Sequence, residues 1–362
     1  MQPIRILIDS FADAGLLNAQ MGNAREIIYR LDPDIFHVST FVLGQADPRI
    51  VARKNTRLIQ LPQRRQTVRI LSEFLVGSHE LLFYMKASPA SKWYSSLRKK
   101  WRDRRTTVGT IESQCIFKMA PGVLPEAIQL WEETILRCDH LYSNSASVRR
   151  SLQLEYGRSS GVIPTGADTR FYTPVWERTP NRRPRILFAG SLCRRKHPEV
   201  VLAAAAQFPQ ADFTLVGEGH MREELTTRIT NEGLRNVALT GALGAVALRD
   251  QYRSADIFLL PSTFEGSPKV VVEAAACGLP VIIRDSYWAE TVIHGVTGFQ
   301  AASNEGMFSY LRLLLDEPEL RERFGRAGRE HSTKFDWDCI TAQWATAFVE
   351  LTSDRRLKRR AS

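Results

Sequence analysis

The chain has 362 residues, 44% of them hydrophobic, which is enough to bury two ordinary cores; two domains of roughly 170 residues each are expected and a disordered chain is excluded. Its five cysteines are scattered without a C-x-x-C pair or a metal-ligand spacing with histidine, no apolar run approaches the roughly 20 residues of a membrane span, and Ile4–Ile8 opens directly as a strand, so a reduced cytoplasmic protein is expected, neither secreted nor membrane-spanning. The formal charge of +10 is concentrated: residues 63–105 carry eleven Lys or Arg against Glu73, Glu80 and Asp103, and Asp354–Arg360 carries five against one, a distribution that marks either an anionic partner surface or a solvated basic face with a frayed tail.

In chain order, short β-type runs alternate with helical patterns. They are Ile4–Ile8, Phe36–Leu43, Arg57–Leu61, Leu81–Met85, Thr107–Ile111, His140–Ser143 and Gly161–Ile163 in the first half. The second half repeats the scheme with Ile186–Ala189, Asp212–Val216, Val237–Thr240, Ile257–Leu260 and Pro280–Ile283. Such alternation predicts an α/β protein with parallel doubly wound sheets. Arg5-Ile6-Leu7-Ile8 and Arg185-Ile186-Leu187-Phe188 are near-identical strand openers, so the halves should be alike. The turn-rich stretch from Pro164 to Pro184 reads as the linker, with the boundary near residue 175. Apolar residues at Ile340, Trp344, Ala347, Phe348 and Leu351 predict a last helix over 337–351, ending in the basic tail.

The densest signal runs from Ala255 to Ile282. A buried strand ends at Leu260, a glycine-containing loop follows, and a helix opens with Ser267 as N-cap and Pro268 at its first position, stopping at Gly278. Val270-Val271-Val272 is β-branched and favours a strand in isolation, so the helix rests on its caps. A helix N-terminus beside a glycine loop, at the C-terminal end of a parallel strand, offers free N–H groups to a phosphate, which nominates Gly266, Ser267, Lys269 and Val270. Glu265 lies just before this anion site and Glu273 lies inside the helix, one placed for a sugar hydroxyl and the other for a ribose.

A second cluster follows the strand at Ile186. Gly190-Ser191-Leu192-Cys193-Arg194-Arg195-Lys196 puts three cations in a row, the kind of charge a departing diphosphate needs; the competing reading is an exposed basic turn. Gly217-x-Gly219 begins a dinucleotide fingerprint but is incomplete, because Arg222 stands where the third glycine belongs.

The segment Glu265-Gly266-x-Pro268-Lys269, then Glu273-Ala274-x-Ala276-x-Gly278-x-Pro280-Val281, with its glutamates eight positions apart, resembles the family-four retaining glycosyltransferases of the GT-B fold. The resemblance covers residues 135–350 well and the first 130 poorly. It implies two Rossmann-like domains facing across a cleft: an acceptor domain at 1–174, a nucleotide-sugar donor domain at 175–336, and a helix and tail at 337–362 crossing back to the first domain. It gives Glu265 the donor-sugar hydroxyls near the reacting carbon, Glu273 the nucleotide ribose, and Lys196 the leaving diphosphate. Ser191 stands where the family usually carries an arginine, for which Arg194 or Arg195 would substitute. Gly217 and Gly241 match loops that edge the base. Met21-Gly22-Asn23-Ala24, opening a helix over Arg25–Leu31, matches a phosphate-touching loop with one glycine of the usual pair. Glu112 stands near where many relatives place a histidine against the donor sugar, which leaves the sugar open. Glu290 matches a further family segment and reads equally well as a helix-start carboxylate.

The function implied is retaining transfer of a hexosyl unit from a nucleoside-diphosphate sugar to a saccharide or lipid-linked acceptor in cell-envelope glycan synthesis, with no cofactor and no metal needed for donor binding. Asp32-Pro33-Asp34 and Asp336-Trp337-Asp338 spell D-x-D, but the first reads as a helix-ending turn and the second as a helix start. Trp93, Leu97 and Trp101 share a helical face among cations, which suits an anionic membrane surface or, alternatively, packing on the first core; nucleic acid is disfavoured because no aromatic-bearing binding motif is present. A sugar-nucleotide epimerase, a phosphorylase and a non-catalytic scaffold are the rival readings.

Overall fold

The computed structural model describes residues 2–15, 18–101, 103–113, 124–287 and 290–360, with side chains as far as 353. Arg102, Cys115 and the side chains of the basic tail therefore lie outside the described residues. The chain divides into two compact units: residues 1–144, 148–164 and 337–362 form the first, and 145–147 with 165–336 form the second.

The first unit is built on seven parallel strands: β1 (Ile4–Phe11), β2 (Phe36–Val42), β3 (Thr56–Gln60), β4 (Leu81–Phe83), β5 (Thr106–Ile111), β6 (His140–Ser143) and β7 (Gly161–Val162), in the order β3-β2-β1-β4-β5-β6-β7. Parallel neighbours need crossover connections, and the intervening helices leave both sheet faces covered. Ile4, Ile6 and Ile8 of β1 enter one core while Leu7 enters the other, as the two-residue period of a strand requires. The last helix runs Trp337–Arg360, beyond the predicted stop at 351, and belongs to this unit. Its Ile340, Trp344, Ala347 and Phe348 enter the β1 core, with the Trp344 and Phe348 rings each 4.7 Å from Phe83.

The second unit has six parallel strands: β8 (Arg185–Ala189), β9 (Asp212–Val216), β10 (Val237–Gly241), β11 (Ile257–Leu260), β12 (Val281–Arg284) and β13 (Gly298–Ala301), in the order β10-β9-β8-β11-β12-β13. β11 is central, and Ile257, Phe258, Leu259 and Leu260 are each fully buried. At roughly 1.5–3 kcal/mol per large side chain removed from water, this short strand anchors the core beneath the loops that follow it. In both sheets the order reverses between two neighbours, β1 and β4 in the first and β8 and β11 in the second. Such switch points open a crevice outside the carboxyl ends of the strands.

Two local expectations are corrected. Gly22 does not sit in a loop before its helix: the helix runs Ala19–Arg30, Asn18 accepts from the Met21 N–H at 2.9 Å as N-cap, and Gly22 lies buried within the helix. The helix after β11 starts at Lys269, one residue later than its caps predicted, with Pro268 as the flanking residue and no side-chain cap. The packing alternative for the tryptophan stripe also fails. Tyr94, Ala90 and Ser91 form the buried face of the helix Pro89–Leu97, while Trp93 and Trp101 are 61% and 59% exposed.

Candidate active site

In the second unit the loop after β8 meets the loop after β11. A single 3-10 turn, Arg194–Lys196, closes the first loop, and the Arg195 carbonyl accepts from the Thr263 N–H at 3.2 Å. The Ser262 hydroxyl lies 3.1 Å from the same carbonyl and 2.5 Å from Glu265 Oε1. Lys196 Nζ reaches Glu265 Oε1 at 2.5 Å and Arg195 Nη1 reaches it at 2.7 Å. Arg195 Nη1 also donates to the Phe264 carbonyl at 2.8 Å, so the guanidinium end of the pair is tied to backbone. Glu265 is 7% exposed and Lys196 9%. Burial pushes the Glu265 carboxyl up, but the Lys196 and Arg195 charges, with the bonds from Lys196 and Ser262, outweigh it and hold the group below its usual range.

Three glycines let the loops after β8, β9 and β10 approach. A Cβ on Gly217 would lie 1.9 Å from the Gly190 carbonyl oxygen, and its φ of +144° is open to glycine alone among common residues. Gly241, at φ +79°, accepts neighbours in the same way, with the Glu218 carboxylate 2.8 Å from where a Cβ would stand. At Gly190 an added Cβ would meet the Lys196 stem only at an ordinary 3.5 Å, and it is the φ of +154° that favours glycine there.

The helix Lys269–Ala276 opens beside Glu265. Gly266 and Ser267 are buried, and Ser267 Oγ has no hydrogen-bond partner among the described residues. Leaving such a hydroxyl unmatched costs about 1–3 kcal/mol, a cost that a bound acceptor group would offset. Lys269 and Val270 stand at the helix start, whose first N–H groups have no intrahelical acceptor. One turn on, Glu273 Oε2 accepts from the Tyr252 hydroxyl at 3.1 Å; burial raises its carboxyl, against the lowering influence of Lys269 and Tyr252.

The first unit has its own polar cluster at the β1/β4 switch point. Glu112, just after β5, accepts from Asn23 Nδ2 at 3.1 Å and from the Tyr84 hydroxyl, while its carbonyl accepts from Asn144 Nδ2 at 2.8 Å. Tyr84 holds a left-handed φ of +65°, a strained state for a non-glycine residue. Asp9, on β1, accepts from the Lys86 N–H at 3.0 Å, and burial pushes its carboxyl up to about 6.

Residues 176–331 match the family described as glycosyl transferases group 1. That match falls wholly inside the second unit. Within curated proteins, 167 residues are 32% identical to a sulfoquinovosyl transferase of Arabidopsis thaliana, covering 44% of this chain and 32% of that protein. A D-inositol 3-phosphate glycosyltransferase of Nocardiopsis dassonvillei is 28% identical over 64% of this chain and 61% of its own, and a glycogen synthase of Mycobacterium tuberculosis 30% identical over 65% and 59%. The chain thus spans between about a third and three-fifths of the length of the relatives it matches. Among solved structures, a sucrose-phosphate synthase of Thermosynechococcus elongatus aligns with a TM-score of 0.80 at 20% identity over 97% of this chain and 100% of that one. Anabaena Alr3699/HepE in complex with UDP aligns at 0.74 and 17% over 96% and 100%. The fold is that of GT-B glycosyltransferases, two Rossmann-like units.

Of the residues nominated from sequence, the structure brings Lys196, Arg195, Glu265, Gly266 and Ser267 together. Arg194 stands apart: it is exposed and its nearest carboxylate is Glu224 at 3.7 Å. Ser191 is exposed on the same loop. Glu290 accepts from the Ala146 N–H at 2.5 Å, and its carbonyl faces His331 Nε2 at 2.8 Å, an arrangement that ties down backbone. Asp32 closes an Asx turn on the Asp34 N–H at 2.8 Å, and Asp336 accepts from the Thr169 hydroxyl at 2.6 Å. Two groups beside Glu265 were missed. Ser262 is the second residue past β11, and Tyr287 is fully buried, its phenol pushed up by burial and by the Glu265 charge, with no hydrogen-bond partner among the described residues.

Proposed function

We propose that the chain transfers a hexosyl unit from a nucleoside-diphosphate sugar to a saccharide or lipid-linked acceptor, with retention of anomeric configuration, in cell-envelope glycan synthesis. The observation that carries this reading is the Glu265 carboxylate, gripped through Oε1 by Lys196, Arg195 and Ser262, next to the start of the helix Lys269–Ala276 and the unmatched Ser267 hydroxyl. All three contacts fall on Oε1, leaving Oε2 as an acceptor for a sugar hydroxyl. Lys196 has three N–H donors, and the bond to Glu265 uses one, so two remain for a diphosphate. Together with the N–H groups of Lys269 and Val270, they would stabilise negative charge developing on the leaving group. Glu273 is assigned the ribose, and the roles read from sequence for Gly22 and Glu112 on the donor stay part of the proposal. This cationic grip serves a diphosphate without a metal ion. The similar Anabaena Alr3699/HepE structures in complex with UDP and with UDP-glucose support a sugar nucleotide as the donor class.

We also infer that the first unit docks on an anionic membrane surface through residues 63–105 and the basic tail. Exposed Trp93 and Trp101, with exposed Arg64, Arg65, Lys99 and Lys100, supply interfacial aromatics and charge; among the described residues no helix is long and apolar enough to cross a membrane.

A panel of UDP-, GDP- and ADP-hexoses tests the activity. Turnover that disappears in Glu265→Ala, with the folded circular-dichroism spectrum kept at the assay temperature, is the expected result. Donor interconversion without acceptor would mean an epimerase, dependence on inorganic phosphate a phosphorylase, and no turnover with any donor a scaffold.

A further inference from the structure

The first unit holds a cavity of about 920 Å³ lined by Arg98, Lys99, Arg104, Arg137 and Arg158, with Asp103 and Asp139 as its acids among the described residues. Both acids are engaged. Asp103 accepts from Arg105 and from the Tyr94 hydroxyl at 2.7 Å, and Asp139 accepts from Arg98, the Thr107 N–H and the Thr107 hydroxyl, each at 2.9 Å. Arg158 is clamped by carbonyl oxygens, Leu136 at 2.8 Å and Cys138 at 2.9 Å, which fix its guanidinium without neutralising it. Lys99, Arg104 and Arg137 are exposed and make no ion pair among the described residues. The cavity therefore keeps a surplus of fixed and adjustable cations in a concave setting, where their fields add within one Debye length of roughly 8–10 Å. Guanidinium forks match phosphate oxygens two at a time.

The surroundings say what carries the phosphate. Lys99 is the second residue past the helix Pro89–Leu97, which exposes Trp93, with Trp101 just beyond its end. The helix Gln66–Val76 packs alongside, Phe74 to Tyr94 at 5.5 Å between ring centroids, and exposes Val68 and Val76 at 62% and 83%. Unpaired cations interleaved with exposed tryptophan and valine suit a lipid surface better than a dissolved ion.

We propose that this cavity binds the terminal phosphate of a membrane lipid, a monoester or diphosphate head group. The inference rests on the membrane reading above and adds to it a built site with chemical selectivity. A cavity of this size holds a whole head group.

The test is vesicle flotation of the full chain with phosphatidylcholine vesicles doped with phosphatidic acid, or with phosphatidylglycerol adjusted to the same surface potential. Wild type should bind the phosphatidic acid vesicles more tightly, on the order of five-fold for each cation engaged. The double variant Arg104→Glu, Arg137→Glu should lose that preference, while Trp93→Ala with Trp101→Ala should weaken binding to both vesicles and keep it. Equal binding of the two vesicles by wild type overturns the phosphate site and leaves the membrane reading standing. Binding to neither overturns both, and glycerol 3-phosphate held at the cavity without any vesicle binding overturns the lipid as its source.

Discussion

Replacing Glu265 by Gln should destabilise the second unit as well as the chemistry. The side chains of Glu265 and Lys196 are 10% and 11% exposed, so their contact is a buried ion pair, and removing one charge leaves the other without a counter-ion. Breaking such a pair costs roughly 3–5 kcal/mol. Arg195, a third exposed, keeps much of its hydration, and the Gln amide oxygen still accepts a hydrogen bond, so the lower end, about 3 kcal/mol, applies. For a unit of roughly 170 residues, each kcal/mol moves Tm by about 2–4 °C, giving a fall of about 6–12 °C at pH 7. The pH dependence has a definite sign. The folded carboxyl titrates below its ordinary value of 4.5, so its contribution is complete above that pH and is lost as the pH falls through the lower folded value. The gap between wild type and Glu265→Gln should therefore close in acid. Thermal melts by circular dichroism at pH 7 and at pH 3 to 4 read both quantities; an unchanged Tm at pH 7, or a gap that widens in acid, would refute the reasoning.

Other substitutions test other links. Gly217→Ala drives a methyl into the Gly190 carbonyl and strains a positive φ, so a loss of at least 3 kcal/mol in urea unfolding is expected, of the size reserved for such backbone conflicts. Asp9→Asn should stabilise the first unit at pH 7. Its carboxyl is raised from 3.8 to about 6, so the native state binds the proton more tightly and stability falls as pH climbs through that window, by about 3 kcal/mol in all; the variant should show a flatter stability profile between pH 4 and 6.5. Glu273→Gln keeps an acceptor for Tyr252 but removes the raised carboxylate, so calorimetry should find nucleotide binding weakened about tenfold while Tm at pH 7 is held or raised.

Most of the strand framework was legible because parallel strands buried on both faces announce themselves as short apolar runs, as Ile257–Leu260 does. β13 was not. It opens at Gly298, which reads as a breaker, yet a Cβ there would stand 2.1 Å from the Val281 carbonyl, so the glycine is what lets the edge strand close on β12. The helix Lys269–Ala276 formed despite three consecutive valines, two of them buried in the core, because tertiary packing outweighed their β preference. Its predicted cap failed for a related reason: Ser267 Oγ is buried with no backbone N–H to receive it, and the helix begins two residues later. At the site, Glu265 and Lys196 could be paired from the resemblance, but Ser262 and Tyr287 could not, since only the fold brings the ends of β11 and β12 to one carboxylate. The grip of Asn23 and Tyr84 on Glu112 likewise joins residues 89 and 28 positions apart that no local pattern connects.

The most direct test of the central claim is calorimetric titration of wild type and Lys196→Ala with UDP-, GDP- and ADP-hexoses. The account predicts that at least one of these donors binds wild type and that its affinity falls at least tenfold in Lys196→Ala, roughly the value of one charge-assisted bond to a diphosphate. A donor that binds both proteins equally, or no binding by any sugar nucleotide, would contradict it.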